Sequence, residues 1–334
     1  MPVRFALLGA GRIGKVHARA VAGNRDARLA VVVDVRAKAA KEIADNYGAA
    51  VKTIDDVARA PDIDAVVICT PTDTHADLIE RFARAGKAIF CEKPIHLDIA
   101  RVKACLAVVA ETGARLMVGF NRRFDPHFVA VRQAIAGGVV GKVEVVQITS
   151  RDPGPPPYDY IKRSGGIFRD MTIHDFDMAR FLLGGEPVAV SAHGAALVDK
   201  KIGRLGDFDT ASVVLVTRSG QQCLISNSRR ATYGYDQRIE VLGSKGMVAA
   251  ENQRPVSIEV ANAKGFTRPA LHDFFMTRYV EAYANEIAAF VKAIDDKAMP
   301  KPDGADGLAA LVLAEAAVRS AKEKRTVKVS EVGG

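Results

Sequence analysis

The pattern of apolar and polar positions changes character once along the chain. Up to about residue 123, short apolar runs alternate with amphipathic segments. Val3 to Leu8 is mostly apolar and runs into a glycine, the pattern of a buried strand. A helix is predicted over about Ile13 to Val21, ending near Gly23-Asn24. Leu29 to Val33, rich in β-branched residues and closed by Asp34, predicts a second strand, and an alanine-rich segment over about Lys38 to Asn46 a second helix. Ala65 to Cys69 predicts a third strand, ending at Thr70-Pro71-Thr72. A helix over 74–85 stops before Gly86, and Ala88 to Cys91 is a fourth strand. Asp98 caps a helix to about Thr112, and Leu116 to Gly119 is a fifth strand. Strand and helix alternating at this spacing imply parallel strands joined by right-handed crossovers.

Beyond Phe124 the alternation stops. A helix over Asp125 to Ala136 leads to a long strand, Val143 to Ser150, a Pro-rich loop at 153–157 and a helix from about Thr172 to Leu183. Extended segments then follow at 187–198, 208–217, 221–229, 236–242, 246–250 and 255–260, and two helices, 275–297 and 304–322, close the chain. Successive strands without helices between them favour antiparallel pairing. The fold class is therefore α/β: an N-terminal Rossmann domain (a doubly wound parallel sheet), then a C-terminal α+β domain on a large, mainly antiparallel open sheet. The expected division is 1–123 for dinucleotide binding and 124–302 for substrate binding and oligomerisation.

Composition narrows the class. The 334 residues are 49% hydrophobic and 26% charged, which fits a globular protein with sizeable cores and excludes wholesale disorder. No apolar run reaches the roughly 18 residues of a spanning helix, and the N-terminal stretch reads as a first strand, not a signal peptide. No membrane partner is expected. The four cysteines, Cys69, Cys91, Cys105 and Cys223, form no C-x-x-C pair and no zinc spacing, so reduced thiols in a cytoplasmic protein and no metal are expected. Lys and Arg outnumber Asp and Glu 47 to 39, but the basic clusters are small and tryptophan is absent, so nucleic acid is not an expected partner.

Gly9-Ala-Gly11-Arg12-Ile13-Gly14 is G-x-G-x-x-G between a strand and a helix, and Asp34 follows 20 residues after Gly14 at the end of the second strand. That is the dinucleotide fingerprint. Gly9 permits the tight turn, Gly11 lets the backbone approach a pyrophosphate, and Gly14 allows close helix–strand packing, while the helix N-terminus faces the phosphates. Asp34 would take the adenosine ribose and repel a 2′-phosphate, favouring NAD. Arg36 nearby could accommodate that phosphate, so use of NADP stays open.

Glu92-Lys93-Pro94 and Thr70-Pro71-Thr72-Asp73-Thr74-His75 both leave carboxyl ends of strands, where open α/β sheets bind ligands. Lys93 could polarise a substrate oxygen; it could equally be a surface lysine. Asp170 and His174 lie at i and i+4. On one helix start they would point the same way, a carboxylate fixing the tautomer of an imidazole base. A capping aspartate and a surface histidine fit the spacing as well. His17, His96, His127, His193 and His272 show no comparable partner and read as packing or surface residues.

Glu92-Lys-Pro94, Gly119-Phe-Asn-Arg-Arg-Phe-Asp125, Gly165-Gly-Ile-Phe-Arg-Asp-Met-Thr-Ile-His-Asp-Phe-Asp177 and Ala231-Thr-Tyr-Gly-Tyr-Asp236 together resemble the family of glucose–fructose oxidoreductases, inositol dehydrogenases and rhizopine-catabolism proteins (Gfo/Idh/MocA). The resemblance spans nearly the whole chain. It implies NAD-dependent oxidation of myo-inositol to 2-keto-myo-inositol (scyllo-inosose), with scyllo-inositol, a hexose or a non-catalytic NAD-binding regulator as alternatives. It implies Lys93, Asp170 and His174 as catalytic residues, His174 being the base. It implies a cofactor site at the glycine turn with Arg12, Ile13, Asp34, Arg36, Thr70, Pro71, Thr72, His75, Glu92, Lys93 and Asn121. Arg122, Asp152 and one or both of Tyr233 and Tyr235 would join the catalytic residues around the polyol. Met171 stands where some members carry a hydroxyl residue. The family further implies a homotetramer through the second domain's sheet, and a last helix, about 303–330, that returns to the first domain.

Overall fold

The computed structural model describes residues 1–333. They form two compact units: Met1–Asp125 with Val280–Leu311, and Pro126–Tyr279 with Val312 onward.

The first unit is built on β1 (Val3–Leu8), β2 (Ala27–Val33), β3 (Ala50–Val51), β4 (Ala65–Ile68), β5 (Ala88–Glu92) and β6 (Leu116–Gly119). They pair in parallel in the order β3-β2-β1-β4-β5-β6, the doubly wound arrangement. Every residue of β4, β5 and β6 is buried, because helices on both faces leave no polar side to a parallel sheet. The expected helices form at Arg12–Ala22, Ala37–Tyr47, His75–Arg84 and Ile99–Thr112, and Asp98 caps the last by accepting from the Arg101 N–H at 2.9 Å. Two elements escaped the sequence pattern. One is β3, only two residues long, and the other is the helix Ile54–Arg59, which Thr53 and Asp56 start with a reciprocal capping box.

The segment 280–302, expected in the second domain, belongs to this first unit. Phe290 of the helix Val280–Asp295 packs on Phe5 and Phe90, at 6.1 and 5.9 Å between ring centroids, and the Val118 N–H donates to the Pro302 carbonyl. The helix Gly304–Glu323 is divided: its residues up to Leu311 count with the first unit and the rest with the second.

The second unit carries β7 (Val143–Arg151), β8 (Pro187–Ala195), β9 (Thr210–Thr217), β10 (Gln222–Ser228), β11 (Asp236–Gly243), β12 (Gly246–Ala250) and β15 (Val327–Lys328) in one sheet, ordered β12-β11-β7-β10-β9-β8-β15. β7 and β10 pair in parallel and every other neighbour is antiparallel. Burial alternates along β9 and β11, so one face is core. The helix Ile173–Leu183 covers that face at β7 and β10 with Phe176, Ala179 and Leu182. The opposite face presents Val214, Leu224, Leu242 and Met247 to solvent. The strand expected over 255–260 does not form there. β13 (Val260–Asn262) and β14 (Gly265–Thr267) instead make a separate exposed hairpin. Short helices at Tyr158–Ser164 and Ile167–Asp170 occupy a stretch for which the sequence pattern predicted no element.

Candidate active site

In the first unit the sequence-predicted cofactor residues gather at the carboxyl ends of the parallel strands. The glycine turn shows why each glycine stands where it does. Gly9 has φ +98°, and a Cβ there would lie 2.5 Å from the Cys69 carbonyl oxygen. A Cβ on Gly14 would overlap the Gly9 carbonyl oxygen outright, whereas one on Gly11 would meet nothing within 4 Å. Gly9 and Gly14 thus close the turn on itself, and Gly11 leaves an open surface. The helix that begins at Arg12 has no side-chain cap and no acidic residue in its first turn, so its N-terminus offers the positive end of the helix dipole to an anion. These features fit a dinucleotide pyrophosphate.

Asp34 sits beneath the turn. Its Oδ2 accepts from the Ala10 N–H at 2.6 Å and its Oδ1 from the Arg36 N–H at 2.7 Å. Burial works to raise the carboxyl, but the two backbone donors and the Arg36 guanidinium outweigh it and hold Asp34 below the usual carboxylate range. Arg36 itself is largely exposed and reaches Asp34 only at 3.5 Å.

Lys93 is half-buried and follows β5 directly. Its neighbours on both sides are fixed from within. Glu92 turns inward to His17, 2.6 Å away, and the His17 ring packs against Phe90 and Tyr283. His75 lies with Nδ1 2.8 Å from the Pro94 carbonyl and Nε2 2.8 Å from the Thr70 carbonyl, linking the turns after β4 and β5. Burial pushes the His75 imidazole below its ordinary value. Glu92 and His75 therefore support these turns through protein partners. The expectation that His17 has no carboxylate partner is corrected: its partner lies 75 residues away, beyond the reach of any spacing argument. Asn121 and Arg122 are both buried in the 3₁₀ turn after β6, and Arg123 pairs with Asp306 at 3.2 Å.

In the second unit the parallel pairing of β7 with β10 sets their carboxyl ends side by side. The Asp152 N–H donates to the Ser228 carbonyl, and β11 starts at the same end with Asp236 opposite Arg151. Asp170 and His174 do not share one helix as their spacing suggested. Asp170 ends the helix Ile167–Asp170, and His174 is the second residue of Ile173–Leu183. The start of that second helix is anchored by a buried polar network. Ser150 Oγ and Asn227 Nδ2 donate to the Asp175 carboxylate at 2.6 and 2.8 Å, and Thr172 Oγ1 donates to Asn227 Oδ1 at 2.6 Å. Met171 is buried. Tyr160 Oη donates to Asp170 Oδ1 at 2.7 Å, and the fully buried Arg229 lies 3.5 Å from Asp170 Oδ2.

The two candidate tyrosines differ. Tyr235 is buried against Phe274 and Tyr279. Tyr233 is half exposed, and its hydroxyl donates to Asp236 at 2.6 Å and accepts from Arg151 at 2.9 Å. Tyr160, Arg229 and the Ser150–Thr172–Asp175–Asn227 network were not singled out in the sequence. Their partners lie 10 to 77 residues apart, with no shared motif. Among the described residues no group of three or more His, Cys, Asp or Glu is placed to hold a metal, and no helix is long and apolar enough to cross a membrane.

Comparison with known proteins adds to this geometry. Residues 3–120 match the oxidoreductase family with an NAD-binding Rossmann fold, and residues 128–249 match the GFO/IDH/MocA C-terminal domain. The inositol 2-dehydrogenase of Rhizobium meliloti (strain 1021) is 72% identical over 99% of this chain and 100% of its own length. The crystal structure of a myo-inositol dehydrogenase from Corynebacterium glutamicum is 45% identical, with a TM-score of 0.95 over 98% of this chain and 99% of that one. The crystal structure of scyllo-inositol dehydrogenase from Lactobacillus casei, with bound NAD(H) and scyllo-inositol, is 29% identical, with a TM-score of 0.92 over 99% and 100%. The first unit is an NAD-binding Rossmann domain.

Proposed function

The chain belongs to the GFO/IDH/MocA oxidoreductase family, and from that premise we propose that it oxidises myo-inositol to 2-keto-myo-inositol with NAD. The observation that carries the substrate is the 72% identity, over 99% of the chain, to a protein named inositol 2-dehydrogenase. NAD, held at the glycine turn and by Asp34, supplies the hydride acceptor. His174 takes the hydroxyl proton as general base. Asp170 orients the imidazole and offsets its positive charge. Lys93 donates to the reacting oxygen and stabilises the charge that develops there. Arg122, Asp152 and Tyr233 bind the other hydroxyls. Tyr235, packed among aromatic rings, shapes the Tyr233 turn from beneath.

The second unit's open sheet face, with Val214, Leu224, Leu242 and Met247 exposed, supports association into a homotetramer. Light scattering on the eluting protein reads that mass directly, and a monomer at micromolar concentration would remove this part of the proposal. A cytoplasmic location is part of the same reading, supported by four buried, unbridged cysteines.

The test of substrate and cofactor is absorbance at the reduced nicotinamide band, with NAD and NADP each offered myo-inositol, scyllo-inositol and glucose. Fastest turnover with NAD and myo-inositol is expected. Preference for scyllo-inositol would replace the substrate and keep the chemistry. NAD binding without turnover of any polyol would leave a cofactor-binding protein that is not a dehydrogenase of these substrates.

A further inference from the structure

The side-chain cluster behind Asp170 contains one cation and two carboxylates. Arg229, from the end of β10, has a side chain only 1% exposed. Its Nη2 lies 3.5 Å from Asp170 Oδ2 and 3.7 Å from Asp207 Oδ2, while its Nε is buried without a hydrogen-bond partner. Asp207 comes from the segment before β9 and accepts from the Ile167 N–H at 2.9 Å. Gly166, at φ +85°, lets Asp207 in: a Cβ there would lie 2.7 Å from Asp207 Oδ1. Tyr160, on the helix Tyr158–Ser164, donates to the other Asp170 oxygen. The neighbouring Arg169 is engaged with Glu315.

A guanidinium keeps its charge at every accessible pH, so its burial is tolerated only beside carboxylates. Here a single Nη2 serves two of them at distances longer than a close charge-assisted bond. We propose that Arg229 is a positioning residue for the reaction. It holds the Asp170 carboxyl group in place, with Asp207 competing for the same guanidinium. This rests on the reading of Asp170 as the partner of the base His174. Loss of a buried positive charge favours the protonated state of whatever base works beside it. The acid limb of the rate profile must then move to higher pH. Burial, with the Asp170 charge adding to it, already pushes the Asp207 carboxyl upward.

The experiment compares Arg229→Met, Arg229→Lys, Asp207→Asn, the double variant Arg229→Met/Asp207→Asn, and Asp170→Asn. The readouts are kcat and the pH profile of kcat/KM with the preferred inositol, and NAD affinity by titration. Arg229→Met is expected to lose roughly tenfold or more in kcat, part of what the base itself contributes. Its acid limb should rise by about one pH unit, the scale of a neighbouring charge. NAD affinity should stay within about twofold of native, a change worth well under 1.4 kcal/mol. Arg229→Lys should restore the position of the limb. Asp207→Asn should leave it in place or lower it. If Arg229→Met does not fold, the double variant, which removes one charge of each sign, decides by its kcat against that of Asp207→Asn. Native kcat and an unshifted limb in Arg229→Met, or native kcat in a folded double variant, overturn the proposal while an inactive Asp170→Asn leaves the reading of Asp170 standing. Native turnover in Asp170→Asn overturns both.

Discussion

The glycine turn and the surroundings of Asp170 solve the same problem, holding polar groups ready for a ligand, by opposite means. At the turn everything comes from 26 consecutive residues, Gly9 to Asp34, and the device is the absence of side chains: Gly9 and Gly14 allow contacts that no Cβ would survive. Around Asp170 the device is side chains brought from far apart. Tyr160 and Arg229 face the Asp170 carboxylate and Asp207 shares the Arg229 guanidinium, while Ser150, Thr172, Asp175 and Asn227 fix the helix start beside it. At Gly9 and Gly14 the first arrangement tolerates no added atom. The second tolerates no lost partner. Each therefore breaks under a different kind of substitution.

The largest effects are expected at the proposed chemistry. His174→Ala and Lys93→Ala should each lower kcat by on the order of 10²- to 10⁴-fold, the usual contribution of a positioned proton acceptor or charge stabiliser. NAD titration should remain near native. Steady-state rates close to native in either variant would remove that residue from the catalytic set.

Gly14→Val tests the turn. Overpacking against the Gly9 carbonyl costs about 1–3 kcal/mol, which weakens NAD by up to on the order of 100-fold if the strain falls on the cofactor site. Fluorescence titration measures it, and native affinity would show that the turn has slack the structure does not display. Thr172→Val tests the opposite device. It leaves Asn227 Oδ1 buried without its donor, at a cost of about 1–3 kcal/mol in urea unfolding. NAD affinity should be untouched, because the loss is confined to the second unit.

The smallest effect is expected from Asp34→Asn, roughly tenfold in NAD affinity, the low end of the worth of one hydrogen bond to a charged group. Its pH behaviour has a fixed sign. The native Asp34 carboxyl lies below its ordinary value, so its ionised form stabilises the fold above the usual carboxylate range. That contribution is lost as the pH falls through the depressed native value. Acid unfolding of Asp34→Asn should thus be shallower below about pH 4 than that of the native chain. Parallel acid transitions would contradict the assignment of Asp34's two backbone bonds.

The same comparison explains what the sequence disclosed. The parallel sheet was legible because burial on both faces writes its longer strands as mostly apolar runs, and the turn was legible because its residues are contiguous. β3 was missed because two exposed residues carry no period. The helix Val280–Asp295 was legible as a helix but not in its placement, since Phe290 says only that one side is apolar and not which core it enters. Asp170 and His174 were singled out by a spacing that suits one helix, whereas the structure breaks the helix between them. Arg229 was invisible as a site residue: no motif or spacing marks it, and only the fold buries it.

The most direct test of the proposed reaction is hydride tracing with myo-inositol deuterated at C2 and unlabelled NAD. The expected result is deuterium in the reduced nicotinamide, one equivalent per turnover, with the new ketone at C2. Unlabelled reduced cofactor, or a ketone at another ring carbon, would contradict oxidation at C2.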